Sequence, residues 1–249
     1  MKILFLGYSK CKLLSYLNNH HTVYQTEEAI NLKNILAYDF IISFGYKHII
    51  SEDIIKHFNG KIVNLHISYL PYNRGYHPNF WSFIDNTPKG VTIHQIDKGI
   101  DTGNILLQKI VSFSKDEDTF LKTYNRLIEE IQNLFIQNCN DILIQKINPK
   151  PQQGNGTFHF QKDLDNYLYL LKNQWNTKIN YIMQNKKRTD LEIINEVEQI
   201  RSKNNVNWMD ILRLAFEHAP DEARKLMGRV NEYDQRISDL LKELSNNGK

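Results

Sequence analysis

Along its first part the chain alternates short apolar runs with segments whose apolar residues recur at helical spacing. KILFLGY (2–8) is a nearly unbroken apolar run closing on a glycine, and KCKLLSYLNNH (10–20) sets Leu13, Leu14 and Leu17 along one side of a helix. HTVYQT (21–26), YDFIISFGY (38–46) and GKIVNLHI (60–67) read as further strands, with SEDIIKHF (51–58) a short helix between the last two. Runs this short and this apolar are strands covered on both faces. Strands of that kind joined through helices lie mostly parallel, with helices on both sides of the sheet. The implied fold class is α/β with a Rossmann-like core, and in such sheets ligands gather at the carboxyl ends of the strands. Ser51 is expected to cap its helix, and Asp53 to sit in the first turn, where a negative charge is favoured.

Several function classes drop out early. GYSKC after the first strand holds one glycine, so neither a dinucleotide fingerprint nor a Walker loop is present. A formal net charge of +3, with Lys186-Lys187-Arg188 as the one tight basic cluster, argues against nucleic acid as a partner. Cys11 and Cys139 stand far apart without a CxxC, which argues against a disulfide framework or a structural zinc, and no ligand spacing suggests another metal. The opening run MKILFLGYSK is shorter than the apolar stretch of a secretory leader, and no segment approaches the roughly 20 apolar residues of a membrane span. The expectation is a cytoplasmic protein without membrane insertion.

Past residue 88, GVTIHQIDKGIDTGNILLQKIVSF reads as two strands flanking a loop with turns at Gly99 and Gly103. A long amphipathic helix comes next, through Phe120, Tyr124, Leu127, Ile131, Leu134 and Phe135, and then NPKPQQGNGTFHFQKD breaks regularity. From Lys186 onward the pattern is helical. Ala223, Leu226, Val230, Tyr233, Ile237, Leu240 and Leu244 recur in alternating steps of three and four, a coiled-coil-like seam. Asn207 is the expected N-cap of a helix through WMDILRLAFEHA, and Pro220 suits the first turn of the last helix. The expected division is a catalytic core at 1–145, a substrate-side loop and subdomain at 146–185, and a helical tail at 186–249. A hairpin packed on the body and an oligomerisation or docking element both fit that tail.

The chemistry centres on NLHISYLPYNRG (64–75). Residues i and i+2 of a strand share a face, so Asn64 and His66 project together at a strand end. The loop HQIDKGIDTG adds Asp97 and Asp101. An amide donor, an imidazole and a carboxylate suit acyl transfer: the amide meets an oxyanion, the imidazole moves protons, and the carboxylate sets the imidazole's charge and orientation. Taken singly, Asn64 or Asp101 serves a turn and His66 an interior. The ordered combination N-x-H-x-S-x-L-P-x-x-R-G followed by D-x-G-x-D-T-G points to a site.

Asn64, His66, Ser68, Leu70-Pro71, Arg74-Gly75 and DKGIDTG (97–103) resemble the signature of the formyltransferases that use N10-formyltetrahydrofolate. RGYHPNFW, PKGVTIHQIDKGIDTGNILLQ and GNGTFHFQKDL are most similar to the sugar-nucleotide N-formyltransferases, which formylate a dTDP-linked amino-dideoxysugar for lipopolysaccharide O-antigens. The resemblance implies Asn64, His66 and Asp101 as catalytic residues and N10-formyltetrahydrofolate as co-substrate, with no metal. It implies a folate pocket at Phe44, Gly45, Tyr46, Ile49 and Ile50, with Ile96 and Asp97 opposite. A dTDP-amino sugar would meet Tyr76, His77, Pro78, Asn79 and Trp81, and the loop holding Gln153 and Gly154. It also implies a homodimer through C-terminal parts, although this tail is unlike the family's usual ones. Glycinamide ribonucleotide formyltransferase, formyl-folate hydrolase and a non-catalytic interaction protein are the competing readings. A methionyl-tRNA formyltransferase fits less well, because the tail is helical and balances 12 basic against 12 acidic residues over 186–249.

Overall fold

The structure is a computed structural model, and it describes residues 1–188, 190–202 and 216–246. The chain divides into two compact units, Met1–Asn185 and Lys186–Lys249.

In the first unit the strands are β1 (Lys2–Gly7), β2 (Thr22–Thr26), β3 (Phe40–Phe44), β4 (Ile62–His66), β5 (Arg74–Gly75), β6 (Gly90–Gln95), β7 (Ile105–Ile110) and β8 (Phe158–His159). Its helices are α1 (Lys12–His20), α2 (Leu32–Ile35), α3 (Glu52–Phe58), α4 (Pro78–Ile84), α5 (Phe120–Leu143) and α6 (Ile179–Asn185). Six strands form one sheet in the order β2-β1-β3-β4-β6-β7. β1 to β4 run parallel, whereas β6 and β7 are antiparallel to their neighbours. β5 and β8 pair separately as a small parallel ladder.

The two sheet faces sort by alternation along each strand. Ile3, Phe5, Phe40, Ile42, Val63, Leu65, Val91 and Ile93 pack with Leu13 and Leu17 of α1 and with Leu127, Ile131 and Phe135 of α5. Leu4, Leu6, Ile41 and Ile62 face the other way, against Ile35 of α2 and Ile54 and Phe58 of α3. Each such side chain, fully buried, stabilises the fold by about 1.5–3 kcal/mol before entropy is counted. Ser51 stands at the N-cap of α3, but its side chain makes no capping hydrogen bond to the helix, contrary to the expectation.

Residues 146–185 belong to the same compact unit. Leu164, Leu170, Ile179 and Ile182 share an aromatic-rich cluster with Phe80, Trp81 and Ile84 of α4 and Phe120 of α5.

In the second unit α7 (Asp190–Ser202) and α8 (Pro220–Asn246) pack through Ile193, Val197 and Leu240. Arg188 reaches Glu243 and Arg236 reaches Glu196, so the two helices run antiparallel. Pro220 opens α8 as its position predicts. The expected N-cap at Asn207 lies outside the described residues. Along the predicted seam, Ala223 and Leu240 are buried while Leu226 and Tyr233 are exposed.

Candidate active site

The site forms where alternation on β4 changes chemical character. Ile62, Asn64 and His66 share a face, but only Ile62 joins the apolar cluster there, while Val63 and Leu65 face the opposite core. β6 does the same in reverse order. Val91 and Ile93 enter the core, and Thr92 and His94 stand across the ladder from His66 and Asn64. The register against β7 shifts between Ile93 and His94, leaving Leu106 of β7 as the extra residue. The loop after β6 then carries Asp101 back over the strand ends.

That loop is shaped by its own side chains. Asp97 Oδ1 accepts from the Gly99 N–H at 3.0 Å and from the Thr102 hydroxyl at 2.6 Å, closing an Asx-type turn. Asp101 itself has a left-handed backbone (φ 53°), which an Asp tolerates better than most residues. A Cβ on Gly103 would overlap the Gln95 carbonyl oxygen, so only glycine lets the loop lie this close to β6. From the far segment, Gln152 Nε2 donates to the carbonyls of Asp101 at 2.8 Å and Gly103 at 2.9 Å, while its oxygen accepts from the Arg74 guanidinium.

The three expected groups converge. Asn64 Nδ2 donates to Asp101 Oδ1 at 3.2 Å, and His66 Nδ1 lies 3.6 Å from Asp101 Oδ2. Oδ2 also accepts the Gly75 N–H at 2.9 Å. The other nitrogen of His66 is 3.1 Å from the Asn73 carbonyl, which can only accept, so Nε2 carries the hydrogen and Nδ1 is the basic atom. Burial pushes the His66 imidazole below its ordinary value; the Asp101 charge opposes this without reversing it, so the ring is a neutral base at rest. Burial works to raise Asp101, but in acid, where the carboxyl would take up a proton, a charged His66 ring opposes this and, with the neighbouring His94 ring and the Gly75 N–H, holds the carboxyl well below the usual range.

Beside this cluster opens a cavity of about 770 Å³. Phe44, Gly45, Tyr46, Ile49, Ile50, Ile96 and Asp97 all line it, as do Tyr76, His77, Pro78 and Asn79. The Asn79 amide is nonetheless engaged in packing, since it donates to the Phe120 carbonyl at 2.9 Å and to the Thr123 hydroxyl at 3.1 Å. Trp81 lies elsewhere. It is buried, and the His159 ring stacks on it at 4.0 Å and 4°, which leaves that face closed to a nucleotide base. Gln153 and Gly154 are exposed and outside the cavity, and the neighbouring Gln152 makes the contacts to the Asp101 loop.

Sequence reasoning did not place His94, Gln152, Tyr8, Tyr124 or Trp175 in the site, and read Tyr124 only as part of a helix face. Tyr8 and Tyr124 join hydroxyl to hydroxyl at 2.8 Å in the cavity wall, and Trp175 packs 5.3 Å from His77. A signal for His94 was present: in GVTIHQ the apolar Val91 and Ile93 alternate with Thr92 and His94, the same pattern that marks Asn64 and His66. Among the described residues no group of His, Cys, Asp or Glu is arranged to hold a metal ion. Nor is any helix among them long and apolar enough to cross a membrane.

The family model described as formyl transferase matches residues 14–139, which is half of the chain. The chain belongs to the formyl transferase family. Among curated relatives of this formyl transferase, the dTDP-4-amino-4,6-dideoxyglucose formyltransferase of Mycobacterium tuberculosis (strain H37Rv) is 30% identical over 140 residues, 56% of this chain and 58% of that protein. The methionyl-tRNA formyltransferase of Thermodesulfovibrio yellowstonii is 36% identical over 121 residues, 48% of this chain and 39% of that protein. The chain thus spans less than two thirds of these relatives' length. Among solved structures, the formyltransferase PseJ from Anoxybacillus kamchatkensis, in complex with UDP-4,6-dideoxy-4-formamido-L-AltNAc and tetrahydrofolate, is 42% identical. The match covers 73% of this chain and 97% of that one, with a TM-score of 0.70. Asn64, His66 and Asp101 fall inside the stretch matched by the family model, whereas Gln152 and Trp175 fall outside it.

Proposed function

We propose that this formyl transferase moves the formyl group of N10-formyltetrahydrofolate onto the amine of a nucleotide-linked amino-dideoxyhexose, in the cytoplasm, for a surface polysaccharide such as an O-antigen. The observation that carries the reading is the convergence of Asn64, His66 and Asp101 on one cavity large enough for two substrates. Its lining of Phe44, Tyr46, Ile50 and Ile96 suits a flat heteroaromatic ring that needs apolar faces. Two free cysteines suit a reducing compartment.

The geometry supports a role for each group. The neutral amine nitrogen attacks the formyl carbon, the carbonyl becomes an oxyanion, and the amine proton passes to His66 Nδ1. A base so placed contributes about 10²–10⁴ in rate. Asp101 stabilises the imidazolium so formed, and the Asn64 amide meets the oxyanion, a donor whose loss costs about 10²–10³ in kcat. Collapse re-forms the carbonyl and breaks its bond to N10. N10 takes up a proton, relayed from His66 past Asp101, and a formamide and tetrahydrofolate leave.

The mycobacterial relative is named for a 4-amino sugar and PseJ was solved with a 4-formamido one, which supports a 4-amine over a 3-amine. They differ in the nucleotide, dTDP in that name and UDP in that complex. The greater identity to PseJ supports UDP as a second reading beside dTDP. Incubating the full chain with formyl-folate and dTDP- and UDP-linked 3- and 4-amino sugars tests all of this by mass spectrometry. Gain of one CO on a 4-amino acceptor is expected. Turnover of formyl-folate with no acceptor gaining mass would make the protein a hydrolase, and binding without turnover would make it an interaction protein.

A further inference from the structure

His94 is 2% exposed, stands across the β4–β6 ladder from Asn64, and takes no part in the proton and formyl transfers assigned to His66, Asn64 and Asp101. Its Nδ1 lies 2.8 Å from the Gln95 carbonyl, which can only accept, so Nδ1 carries the hydrogen and Nε2 presents a lone pair. That lone pair is 3.2 Å from Asn64 Nδ2. Asp101 Oδ1 is also 3.2 Å from the same nitrogen. Both hydrogens of the Asn64 amide therefore have acceptors. The pair of acceptors also fixes which way the amide faces. Turned over, Asn64 Oδ1 would oppose a lone pair on one side and a carboxylate on the other.

This raises a difficulty for the reaction. If Asn64 is to steady an oxyanion, one of its two engaged hydrogens must be given up. The carboxylate is the stronger acceptor, since hydrogen bonds to an ionised group are roughly twice as strong as those between neutral groups. The neutral imidazole nitrogen holds its hydrogen less firmly at the same distance. A developing oxyanion outcompetes it, and the bond to Asp101 keeps the amide in place meanwhile.

We propose that His94 is a positioning residue for formyl transfer, holding the Asn64 amide by one hydrogen and yielding that hydrogen to the reacting oxygen as its charge develops. The donor is then stronger in the transition state than in the ground state, which is the condition for accelerating the chemical step. The proposal rests on the formyl-transfer reading and goes beyond it in giving a fourth side chain a defined task. It also requires a neutral ring. With a hydrogen on Nε2, His94 would turn it toward Asp101 Oδ1, 3.5 Å away, and would no longer accept from Asn64.

Two measurements on the full chain test this. Imidazole nitrogen NMR of the wild-type protein reads the tautomer directly: His94 is expected with hydrogen on Nδ1 and a bare Nε2 at neutral pH, and hydrogen on Nε2 overturns the proposal. Steady-state kinetics then compare His94→Leu, which removes the acceptor, with His94→Gln, whose Oε1 can accept near the Nε2 position. His94→Leu is expected to lower kcat by up to about 10²-fold, as misplacement of a catalytic group does. KM for both substrates should hold, and His94→Gln should recover most of the loss. In an Asn64→Ala background the same His94→Leu change should lower kcat no further, because neighbours acting through one group are not additive. A full second loss in that background refutes the proposal, as does a His94→Leu variant with wild-type kcat. Should His94→Leu fail to fold by circular dichroism, the tautomer and the His94→Gln kinetics decide. Failure of the wild-type protein on every acceptor would sink the formyl-transfer reading instead.

Discussion

Asp101→Asn isolates the charge at the centre of the site with little change of shape. Asn tolerates the left-handed backbone at this position as Asp does, so the loop has no reason to refold. What changes is electrostatic. A His66 imidazolium 3.6 Å from the carboxylate gains about 4–5 kcal/mol at an effective dielectric constant of about 20. If that attraction is realised only after His66 takes the proton, its loss slows transfer by about 10³-fold. A second effect falls on stability. Oδ2 accepts from Gly75 and Oδ1 from Asn64, and an amide can serve only one of these donors. The other is left facing an NH2 group, at about 1–3 kcal/mol. The pH dependence has a definite sign. Burial lowers the His66 pKa and the Asp101 charge raises it, so removing the charge lowers it further. The acidic limb of kcat/KM, where the base becomes protonated, should therefore move to lower pH while the plateau falls. Following tetrahydrofolate release across a pH series reads both quantities, and urea unfolding reads the third. A variant within about tenfold of wild type, with the limb unmoved, would reduce Asp101 to a turn-former.

Three further outcomes are expected. Gln152→Ala strips two carbonyls and the Arg74 guanidinium of their partner, and should lower unfolding free energy by about 1–3 kcal/mol while slowing turnover; unchanged kinetics would mean that the Asp101 loop holds its place unaided. Gly103→Ala forces a Cβ against the Gln95 carbonyl and should destabilise by about 1–3 kcal/mol with a disproportionate loss of kcat, since Asp101 must move with the loop. A chain ending at Asn185 should unfold cooperatively and retain tetrahydrofolate binding, because Met1–Asn185 is a compact unit by itself; an insoluble product would show that the unit depends on residues 186–249.

The sheet was legible because each apolar run allowed few alternatives, and β1 and β3 are buried along almost every residue. The direction of β6 and β7 was not, since a run of alternating residues carries no sign of whether its partner is parallel. Asn64 and His66 could be paired from strand periodicity alone, and Asp101 from the turn beside it. His94 escaped although the same periodicity marks it, because one imidazole inside a mostly apolar strand resembles an ordinary interior histidine. Trp81 misled for the opposite reason: an aromatic beside a site suggests stacking, but helical spacing turned it into the core under His159. Gln152 could not be separated from Gln153 in an irregular loop whose direction is set only by its contacts with Asp101 and Arg74.

The clasp made by Gln152, together with the pairing of β5 with β8, has a consequence for synthesis. The ribosome delivers every strand of the large sheet well before it delivers the residues that brace the Asp101 loop. N-terminal parts of a chain can begin to fold as they emerge. A nascent protein can therefore own its base, its amide and its carboxylate while still lacking the strap that holds them in register. Competence arrives late, with a stretch of chain that contributes no reacting atom.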